Sequence, residues 1–273
     1  MRFSAQNYPQ LVQLSYELRL DLLNTINSSG LGHIGGSLSS LDLIIVTYFS
    51  KVLKDFDFIL SAGHLCPALY VVLAKLGYFP KSKLANYAKF KSILQGHAST
   101  DVPGVEYSSG SLGQGLSFAC GKALANRNRP IICLTSDGEH QEGQVWEAIL
   151  FANKYHLGNV INLVDYNNCQ IDGYVSDIMP LDSLAAKYLR FGWTVTVCDG
   201  HDYNQLITAL EKASDSGAYP HCIIANTVLG KGIPAFENNF HYHDVKTLDS
   251  FIYQKTKSDL ESIIKKLNPK YEF

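Results

Sequence analysis

The sequence predicts an α/β fold in which helices cover both faces of a parallel sheet. Short, continuous apolar runs alternate with longer segments whose apolar residues recur at helical spacing, which is typical of buried parallel strands joined by helices. The runs at 130–135 and 160–164 are the clearest strands. The chain has 273 residues, of which 46% are hydrophobic and 18% charged, so it can bury a sizeable core.

The predicted elements follow each other without an internal repeat or a low-complexity linker, so residues 1–273 are expected to form one domain. In the first helix leucines recur at helical spacing, and the helix ends before Gly30. A glycine-rich loop, residues 30–36, precedes the second helix. Helices are predicted at 8–28, 39–53, 67–76, 111–127, 144–155, 203–214 and 258–267, and strands at 57–60, 130–135, 160–164, 194–197 and 222–228.

Composition and charge argue against several classes of protein. The formal net charge of −2 gives no basis for binding nucleic acid or an anionic membrane. No stretch reaches the ~18 apolar residues of a transmembrane helix, and the N-terminal segment lacks the layout of a signal peptide. The six cysteines form no Cys-x-x-Cys pair, which favours buried free thiols in a reducing compartment. The chain is therefore expected in the cytoplasm.

Polar residues directly follow two of the predicted strands. The segment 136–139 (Ser-Asp-Gly-Glu) follows one, and the segment 165–168 (Asp-Tyr-Asn-Asn) follows the next. Neighbouring parallel strands would bring Asp137 and Asn167 together at the edge where such folds bind ligands. A carboxylate, an amide oxygen and a backbone carbonyl are ligands that suit Mg²⁺. The same residues also favour ordinary turns, so their position alone leaves both interpretations open.

A run of small residues opens the helix predicted at 111–127. Residues 108–115 read Ser-Ser-Gly-Ser-Leu-Gly-Gln-Gly. Small residues at a helix start can present backbone N–H groups to an anion, although glycine is also common there for packing reasons. The chain has no Walker motif at Gly121-Lys122, because the required upstream glycine and the following Ser or Thr are absent.

Three of the nine histidines, His33, His64 and His97, lie in Gly-His pairs within predicted loops of the first 100 residues. A single loop histidine is usually a surface or capping residue, but three along the region that leads to the predicted site favour a shared role. Histidine donates hydrogen bonds to phosphates and hydroxyls and exchanges protons near neutral pH. Zinc is the competing interpretation, and the lack of His-Glu-x-x-His or of a Cys/His pair at ligand spacing argues against it.

In combination these motifs resemble the N-terminal half of transketolase, a thiamine-diphosphate enzyme, over residues 14–243. The resemblance is carried by the segment 137–143 (Asp-Gly-Glu-His-Gln-Glu-Gly), by Asn167-Asn168, by the segment 170–173 (Gln-Ile-Asp-Gly) and by Ser-Leu-Gly-Gln-Gly at 111–115. It implies a thiamine-diphosphate-binding fold (PP domain). It also implies thiamine diphosphate and Mg²⁺ as cofactors, with Ca²⁺ or Mn²⁺ as possible substitutes for the metal.

The resemblance implies a role for each matching residue. The metal ligands would be the side chains of Asp137 and Asn167 and the backbone carbonyl of Cys169. Besides Asp137 and Asn167, the cofactor-binding positions would be His64, Gly110, Ser111, Leu112, Gly138, Glu139 and His243. The catalytic and channel positions would be His33, His97, His243 and Glu142, the last through a carboxylate contact across a subunit interface.

The last loop contains two histidines, and a gap-free residue count against the family favours His243 over His241 as the functional one. The sequence departs from the family wording where Ser136 replaces a glycine, where Ala98 replaces a proline and where Asp244 replaces a glycine. The segment 51–59 is also shorter than the usual family connection, so the rim of the substrate channel is expected to differ.

The resemblance further implies a missing half. Transketolase has a C-terminal pyrimidine-binding domain whose glutamate assists the cofactor, and this sequence ends shortly after the first domain. The expected partner is a C-terminal transketolase subunit that carries that domain, in an α₂β₂ assembly. The implied reaction is transfer of a two-carbon ketol unit from a ketose, or ketose phosphate, to an aldose acceptor.

Two alternatives remain open. The first is that the chain is a subunit of another thiamine-diphosphate enzyme, similar to 1-deoxyxylulose-5-phosphate synthase or a 2-oxoacid dehydrogenase. The second is that it is a catalytically silent scaffold that kept the fold. The Ser-Leu-Gly-Gln-Gly and Gln-Ile-Asp-Gly segments favour transketolase. The presence of Asp137, Asn167 and the three loop histidines argues against a silent scaffold.

Overall fold

The predicted parallel sheet is present in the computed structural model, which describes residues 8–215, 217–244 and 247–271. The strands are β1 Asp57–Leu60, β2 Ile131–Ser136, β3 Val160–Tyr166, β4 Cys169–Gln170, β5 Gly173–Tyr174, β6 Thr194–Asp199 and β7 His221–Asn226. The main sheet has the order β1-β2-β3-β7-β6, and its four pairings are all parallel. The strands β4 and β5 form a separate antiparallel hairpin.

Helices connect the strands. They are α1 Tyr8–Ser29, α2 Ile34–Phe49, α3 Cys66–Lys75, α4 Gly115–Ala125, α5 Gly143–Lys154, α6 Val175–Ile178, α7 Leu184–Arg190, α8 Tyr203–Ser214 and α9 Ser250–Leu267. Short 3₁₀ turns lie at Gly63–Leu65, Lys81–Asn86, Gly138–Gln141 and Phe240–Tyr242. In the described segments, no helix combines the length and apolar character needed to cross a bilayer.

The strands bury side chains on both faces of the sheet. In β2, Ile132 and Leu134 pack into a core formed with α1, α2, α3, α8 and α9. The alternate residues Ile131 and Cys133 pack into a second core formed with α4, α5 and α7. Because successive strand residues point to opposite faces, each face needs its own helical cover. This arrangement confirms the predicted α/β fold with helices on both faces.

The prediction that α2 starts at residue 39 was wrong. The helix begins at Ile34 and ends at Phe49, so Gly35 and Gly36 belong to its first turn rather than to a loop. A Cβ atom at Gly35 would lie 2.7 Å from the backbone oxygen of Tyr242. Glycine is therefore present here for the close approach of a later loop to the helix, and not as a helix breaker.

The prediction that α4 starts at residue 111 was also wrong, because the helix starts at Gly115. Gly113 has φ of +84°, a left-handed conformation that an α-helix does not allow. A Cβ atom at this position would also lie 2.8 Å from the Cβ of Glu142. Residues 108–114 therefore form a turn that precedes the helix.

The remaining differences concern short elements and one helix cap. The helix α9 starts at Ser250 instead of residue 258, because the side chain of Asp249 accepts hydrogen bonds from the N–H groups of Phe251 and Ile252 and caps the helix. Residues 169–190 contain β4, β5, α6 and α7, which are too short to give a periodic signal and were missed. Most other bounds agree to within one or two residues.

A buried chain of polar side chains links β2, β3 and α7. Thr135 Oγ1 donates to Asn162 Oδ1 at 3.1 Å, and Asn162 Nδ2 donates to the hydroxyl of Tyr188 at 2.6 Å. That hydroxyl lies 2.8 Å from His140 Nε2, while His140 Nδ1 lies 2.8 Å from the backbone oxygen of Ser136. Nδ1 must donate to this carbonyl, so Nε2 accepts from Tyr188. This network of hydrogen bonds thereby fixes the turn that follows β2.

We expect Tyr188→Phe to lower the free energy of unfolding by about 1–3 kcal/mol, because it leaves the buried atoms Asn162 Nδ2 and His140 Nε2 without a hydrogen-bond partner. Urea unfolding followed by circular dichroism measures this loss. The matched control is Tyr78→Phe, since the Tyr78 side chain is 50% exposed. The control should change stability by less than about 0.5 kcal/mol. Equal losses in both variants would contradict the assignment of a buried network.

Candidate active site

The ends of β2 and β3 bring Asp137 and Asn167 together, as the parallel sheet predicted. The two strands pair in register up to Ser136 and Asp165. Beyond that pair, the Asp137 N–H donates to the Asp165 carbonyl at 3.1 Å. The Asp137 carboxylate accepts from the N–H of Gly138 at 2.7 Å and from the N–H of Asn168 at 2.5 Å. Asp137 therefore holds the two strand ends together.

The amide of Asn167 has a fixed orientation. Its Nδ2 donates to Asp165 Oδ2 at 3.1 Å and to Ser39 Oγ at 3.2 Å. Its Oδ1 accepts from the N–H of Cys169 at 2.8 Å. Because both donor hydrogens face the protein, the amide oxygen is the atom left for further contacts.

Asp165 is a functional residue that the sequence analysis missed as such. Its buried carboxylate accepts hydrogen bonds from Ser39 of α2, from Thr227 after β7 and from Asn167. A carboxylate at the end of a buried strand, two residues before a candidate ligand, was the available signal. The structure shows that Asp165 lines the cleft and also orients the side chain of Asn167, the candidate ligand.

The charges at this point favour a bound cation. Burial and the nearby Asp165 carboxylate raise the pKa of Asp137 to about 7. Burial also raises the pKa of Asp165, against the hydrogen bonds that lower it. A divalent cation beside Asp137 would offset both the desolvation and the repulsion between the carboxylates. Asp137, the Asn167 amide and the backbone carbonyl of Cys169 provide the oxygen ligands that suit Mg²⁺.

The histidine and cysteine side chains that the structure describes are not grouped as an alternative metal site. In residues 8–215, 217–244 and 247–271, no three His, Cys, Asp or Glu side chains are grouped so as to hold a metal ion. An Asp, an Asn and a backbone carbonyl form a different kind of site, one for a hard cation.

A cleft of about 330 Å³ lies at the carboxyl ends of β2 and β3. It is lined by residues from the two strand ends, from the turn at 108–114 and from the Gly-His loops. The residues assigned to the site from the sequence that line it are His64, His97, Gly110, Leu112, Gly138, Glu142, Asn167, Cys169 and His243. Motifs from distant parts of the chain therefore meet around one space.

Four histidines form a cluster at this cleft. The ring centroids of His33 and His64 are 5.0 Å apart, those of His33 and His97 6.1 Å, and those of His64 and His243 5.7 Å. Burial lowers the pKa of His33 and of His64, and it lowers the pKa of His243 to about 4. These three rings are therefore neutral near pH 7, and each offers one N–H donor and one acceptor nitrogen.

The structure distinguishes the two histidines of the last loop. His243 is 9% exposed and lies 5.8 Å from His33 between ring centroids. His241 is exposed and packs its ring on Phe240 instead. Geometry thus favours His243, as the sequence count did. The replacement of a family glycine by Asp244 places a carboxylate 3.9 Å from His33 Nε2.

Two assigned residues, Asp137 and His33, lie next to the cleft without lining it. Asp137 is buried and directly precedes Gly138, which does line the cleft. His33 packs its ring against His64 and His243, which line it as well. Both residues therefore belong to the site through their immediate neighbours.

Two residues assigned to cofactor binding, Ser111 and Glu139, also lie outside the lining. Ser111 is exposed to solvent instead. Glu139 is fully buried, and its carboxylate accepts from Ser61, from the N–H of Gly113 at 2.7 Å and from the N–H of Ser136. Glu139 therefore stabilises the turn at 108–114 through its hydrogen bond from the N–H of Gly113.

Glu142 occupies a position between the cleft and the solvent. It is exposed, lines the cleft and immediately precedes α5. The cleft residues Gly110 and Leu112 belong to the adjacent turn at 108–114. Gln144 of α5 holds this turn, because its Nε2 donates to the Leu112 carbonyl at 2.8 Å. A carboxylate at this rim is accessible to a second chain.

Comparison with known proteins agrees with the geometry. A family model described as "Transketolase, thiamine diphosphate binding domain" matches residues 12–258. The chain is similar to the 6-deoxy-6-sulfo-D-fructose transketolase subunit SqwG of Clostridium sp. (strain MSTE9), with 36% identity over 253 residues that cover 88% of this chain and 92% of that protein. It is also 31% identical over 278 residues to a subunit of the apulose-4-phosphate transketolase of Phocaeicola vulgatus, covering 97% of this chain and 94% of that protein.

A solved structure gives the same result at the level of the fold. The crystal structure of transketolase from Campylobacter jejuni superposes with a TM-score of 0.85 and 28% identity, over 92% of this chain and 43% of that chain. This chain thus spans less than half of that transketolase. From the family match, the relatives and the fold, we conclude that the chain belongs to the family of transketolase thiamine diphosphate-binding domains.

Proposed function

We propose that this chain is the N-terminal subunit of a split transketolase, which transfers a two-carbon ketol unit from a ketose or ketose phosphate to an aldose acceptor. The observation that carries the proposal is the meeting of Asp137 and Asn167 at adjacent strand ends, beside a cleft with clustered histidines. Oxygen ligands for a cation and neutral histidines that can exchange protons would then act on one molecule bound in the cleft.

The chain would hold Mg²⁺ through Asp137, Asn167 and the backbone carbonyl of Cys169. Ca²⁺ or Mn²⁺ would substitute, since they also accept oxygen ligands. His64, the backbone at Gly110, Ser111 and Gly138, and the side chain of Leu112 would contact thiamine diphosphate. Glu139 would contribute indirectly, by holding the turn that carries Gly110 and Leu112.

The cleft needs a cation in order to bind a diphosphate. Its described lining contains the acidic residues Glu142, Asp165 and Asp172, and it includes neither lysine nor arginine. An anion entering this space would meet like charges unless a metal ion neutralised them. We therefore infer that metal and diphosphate bind here together.

Thiamine diphosphate, when bound, supplies the electron sink for breaking and forming the carbon–carbon bond. The chain's own histidines recognise hydroxyl groups and move protons. The Nδ1 atoms of His33 and His243 are buried and have no hydrogen-bond partner within the described residues. Sugar hydroxyls are groups that can complete these bonds, and His33, His97 and His243 can exchange protons with them.

We infer that a C-terminal chain with the pyrimidine-binding domain completes the site, in an α₂β₂ assembly. Two relatives that match over 92% and 94% of their length are named as transketolase subunits. Ile171 lines the cleft yet is 61% exposed, and Glu142 is exposed beside it. An open apolar residue and a rim carboxylate suit burial by a second chain.

We infer a cytoplasmic location and a single domain over residues 1–273. All six cysteines are free and buried, which suits a reducing compartment. One parallel sheet connects both hydrophobic cores, which supports a single unit.

We expect Asp137→Ala to weaken Mg²⁺ binding by at least about 100-fold, because loss of a residue that only supports a ligand already costs about 10–100-fold. The readout is the Mg²⁺ concentration that half-saturates thiamine diphosphate binding. Asp259→Ala, which removes an exposed carboxylate on α9, serves as the control and should leave this value unchanged. Unchanged cofactor affinity in Asp137→Ala would favour the silent scaffold.

The identity of the donor separates the proposed reaction from those of other thiamine enzymes. With its C-terminal partner, the chain is expected to consume a ketose phosphate in the presence of an aldose phosphate and to leave pyruvate unchanged. Chromatography of the sugar products measures the first reaction, and a coupled assay for pyruvate measures the second. Consumption of pyruvate without ketol transfer would contradict the proposed transketolase reaction and favour the alternative class of thiamine enzyme.

A further inference from the structure

A buried charge cluster lies on α2, away from the cleft lining. Asp42 accepts from Arg19 Nη1 at 3.1 Å and Nη2 at 2.6 Å, from the hydroxyl of Tyr203 at 2.5 Å and from His201 Nδ1 at 2.8 Å. The side chains of Arg19 and Asp42 are each 4% exposed. A buried ion pair adds little stability by itself, so its role is better sought in what its members hold in place.

Two members of this cluster bind backbone atoms of one segment, residues 227–243, which we call the β7 loop. His201 Nε2 accepts from the N–H of Val228 at 2.9 Å, and Arg19 Nε donates to the carbonyl of Lys231 at 3.0 Å. Since Nε2 accepts, the His201 ring is neutral, and its single hydrogen lies on Nδ1 and points at Asp42. The His201 ring thus links Asp42 to the backbone of the β7 loop through two hydrogen bonds.

The β7 loop folds back on itself and carries His243 to the cleft. The Gly230 N–H donates to the carbonyl of Gly35 in α2, and the Asn238 N–H donates to the carbonyl of Leu229, both at 3.0 Å. The second half of the loop is closed by stacking of Phe236 on Tyr242, with centroids 4.2 Å apart. Displacement of the first half at Val228 would therefore move the second half, which ends at His243.

We propose that His201 is a positioning residue, which fixes the β7 loop through Val228 and thereby holds His243 against His33 and His64. The proposal rests on the proposed function only in assigning His243 a role in turnover. His201 does not line the cleft, so it acts through the loop and not by contact with substrate. Asp165 and Glu139 hold the proposed diphosphate and metal side of the cleft. The β7 loop touches that side at Thr227, which donates to Asp165, whereas Ser39 and Asn167, the other donors to Asp165, lie outside the loop.

The two hydrogen bonds of His201 can be separated by a pair of substitutions. The amide of asparagine reaches about as far as Nδ1, so His201→Asn keeps the bond to Asp42 and loses the one to Val228. The amide of glutamine reaches about as far as Nε2, so His201→Gln keeps an acceptor for Val228 and loses the bond to Asp42. The two variants are matched in polarity and in burial, and they differ in which neighbour they reach.

Two measurements test the proposal. Hydrogen–deuterium exchange on the chain alone should show about fivefold faster exchange of the β7 loop in His201→Asn, the effect of losing one hydrogen bond, and near wild-type exchange in His201→Gln. With the C-terminal partner, His201→Asn should lower kcat by at least about tenfold, because misplacing a catalytic group is costly. Thiamine diphosphate affinity should change by less than about threefold in both variants, because Asp165 keeps its donors Ser39 and Asn167, and His201→Gln should restore most of kcat.

The outcomes discriminate clearly. Wild-type exchange in His201→Asn, or equal impairment of both variants, overturns the positioning role. If the reconstituted pair shows no ketol transfer with the wild-type chain, the proposed function fails, while the exchange comparison still decides whether His201 fixes the loop.

Discussion

The carboxylate of Asp165 is the point on which the geometry of the cleft depends. It is fully buried and accepts hydrogen bonds from Ser39 of α2, Thr227 after β7 and Asn167 after β3. A buried carboxylate is stable only when such bonds replace its hydration, so the elements that carry the donors must converge. The same bonds turn the oxygen of Asn167 toward further contacts. The hydrogen bonds that close this edge of the sheet thus also orient the candidate ligand Asn167.

The cleft combines two electrostatic environments. On one side, burial and the neighbouring Asp165 carboxylate raise the pKa of Asp137, and a cation beside it would offset both effects. On the other side, burial keeps His33, His64 and His243 neutral. A metal–diphosphate unit would suit the first environment, and an uncharged polyhydroxylated substrate segment would suit the second. The exposed Glu142 and Ile171 mark the open side, where the proposed C-terminal partner would complete the site.

Much of this arrangement was predictable because it depends on strand ends. Buried apolar runs located the parallel strands, and the rule that ligands bind beyond their carboxyl ends predicted the meeting of Asp137 and Asn167. The starts of α2 and α4 were predicted wrongly because of their glycines. Gly35 allows close packing inside α2, whereas the left-handed conformation of Gly113 keeps the preceding residues out of α4. The inward orientation of Glu139 and the link from Asp42 through His201 to Val228 were beyond sequence reasoning, since they join residues that are far apart in the chain and show no spacing pattern.

The decisive measurement is calorimetric titration of thiamine diphosphate into the chain, with and without Mg²⁺ and with and without the C-terminal partner. We expect binding to require the metal, because the cleft is acidic, and to strengthen greatly with the partner, because the open side is then closed. Binding that is equally tight without a divalent cation would contradict the role of Asp137 and Asn167. No binding under any of these conditions would remove the cofactor from the cleft and the proposed reaction with it.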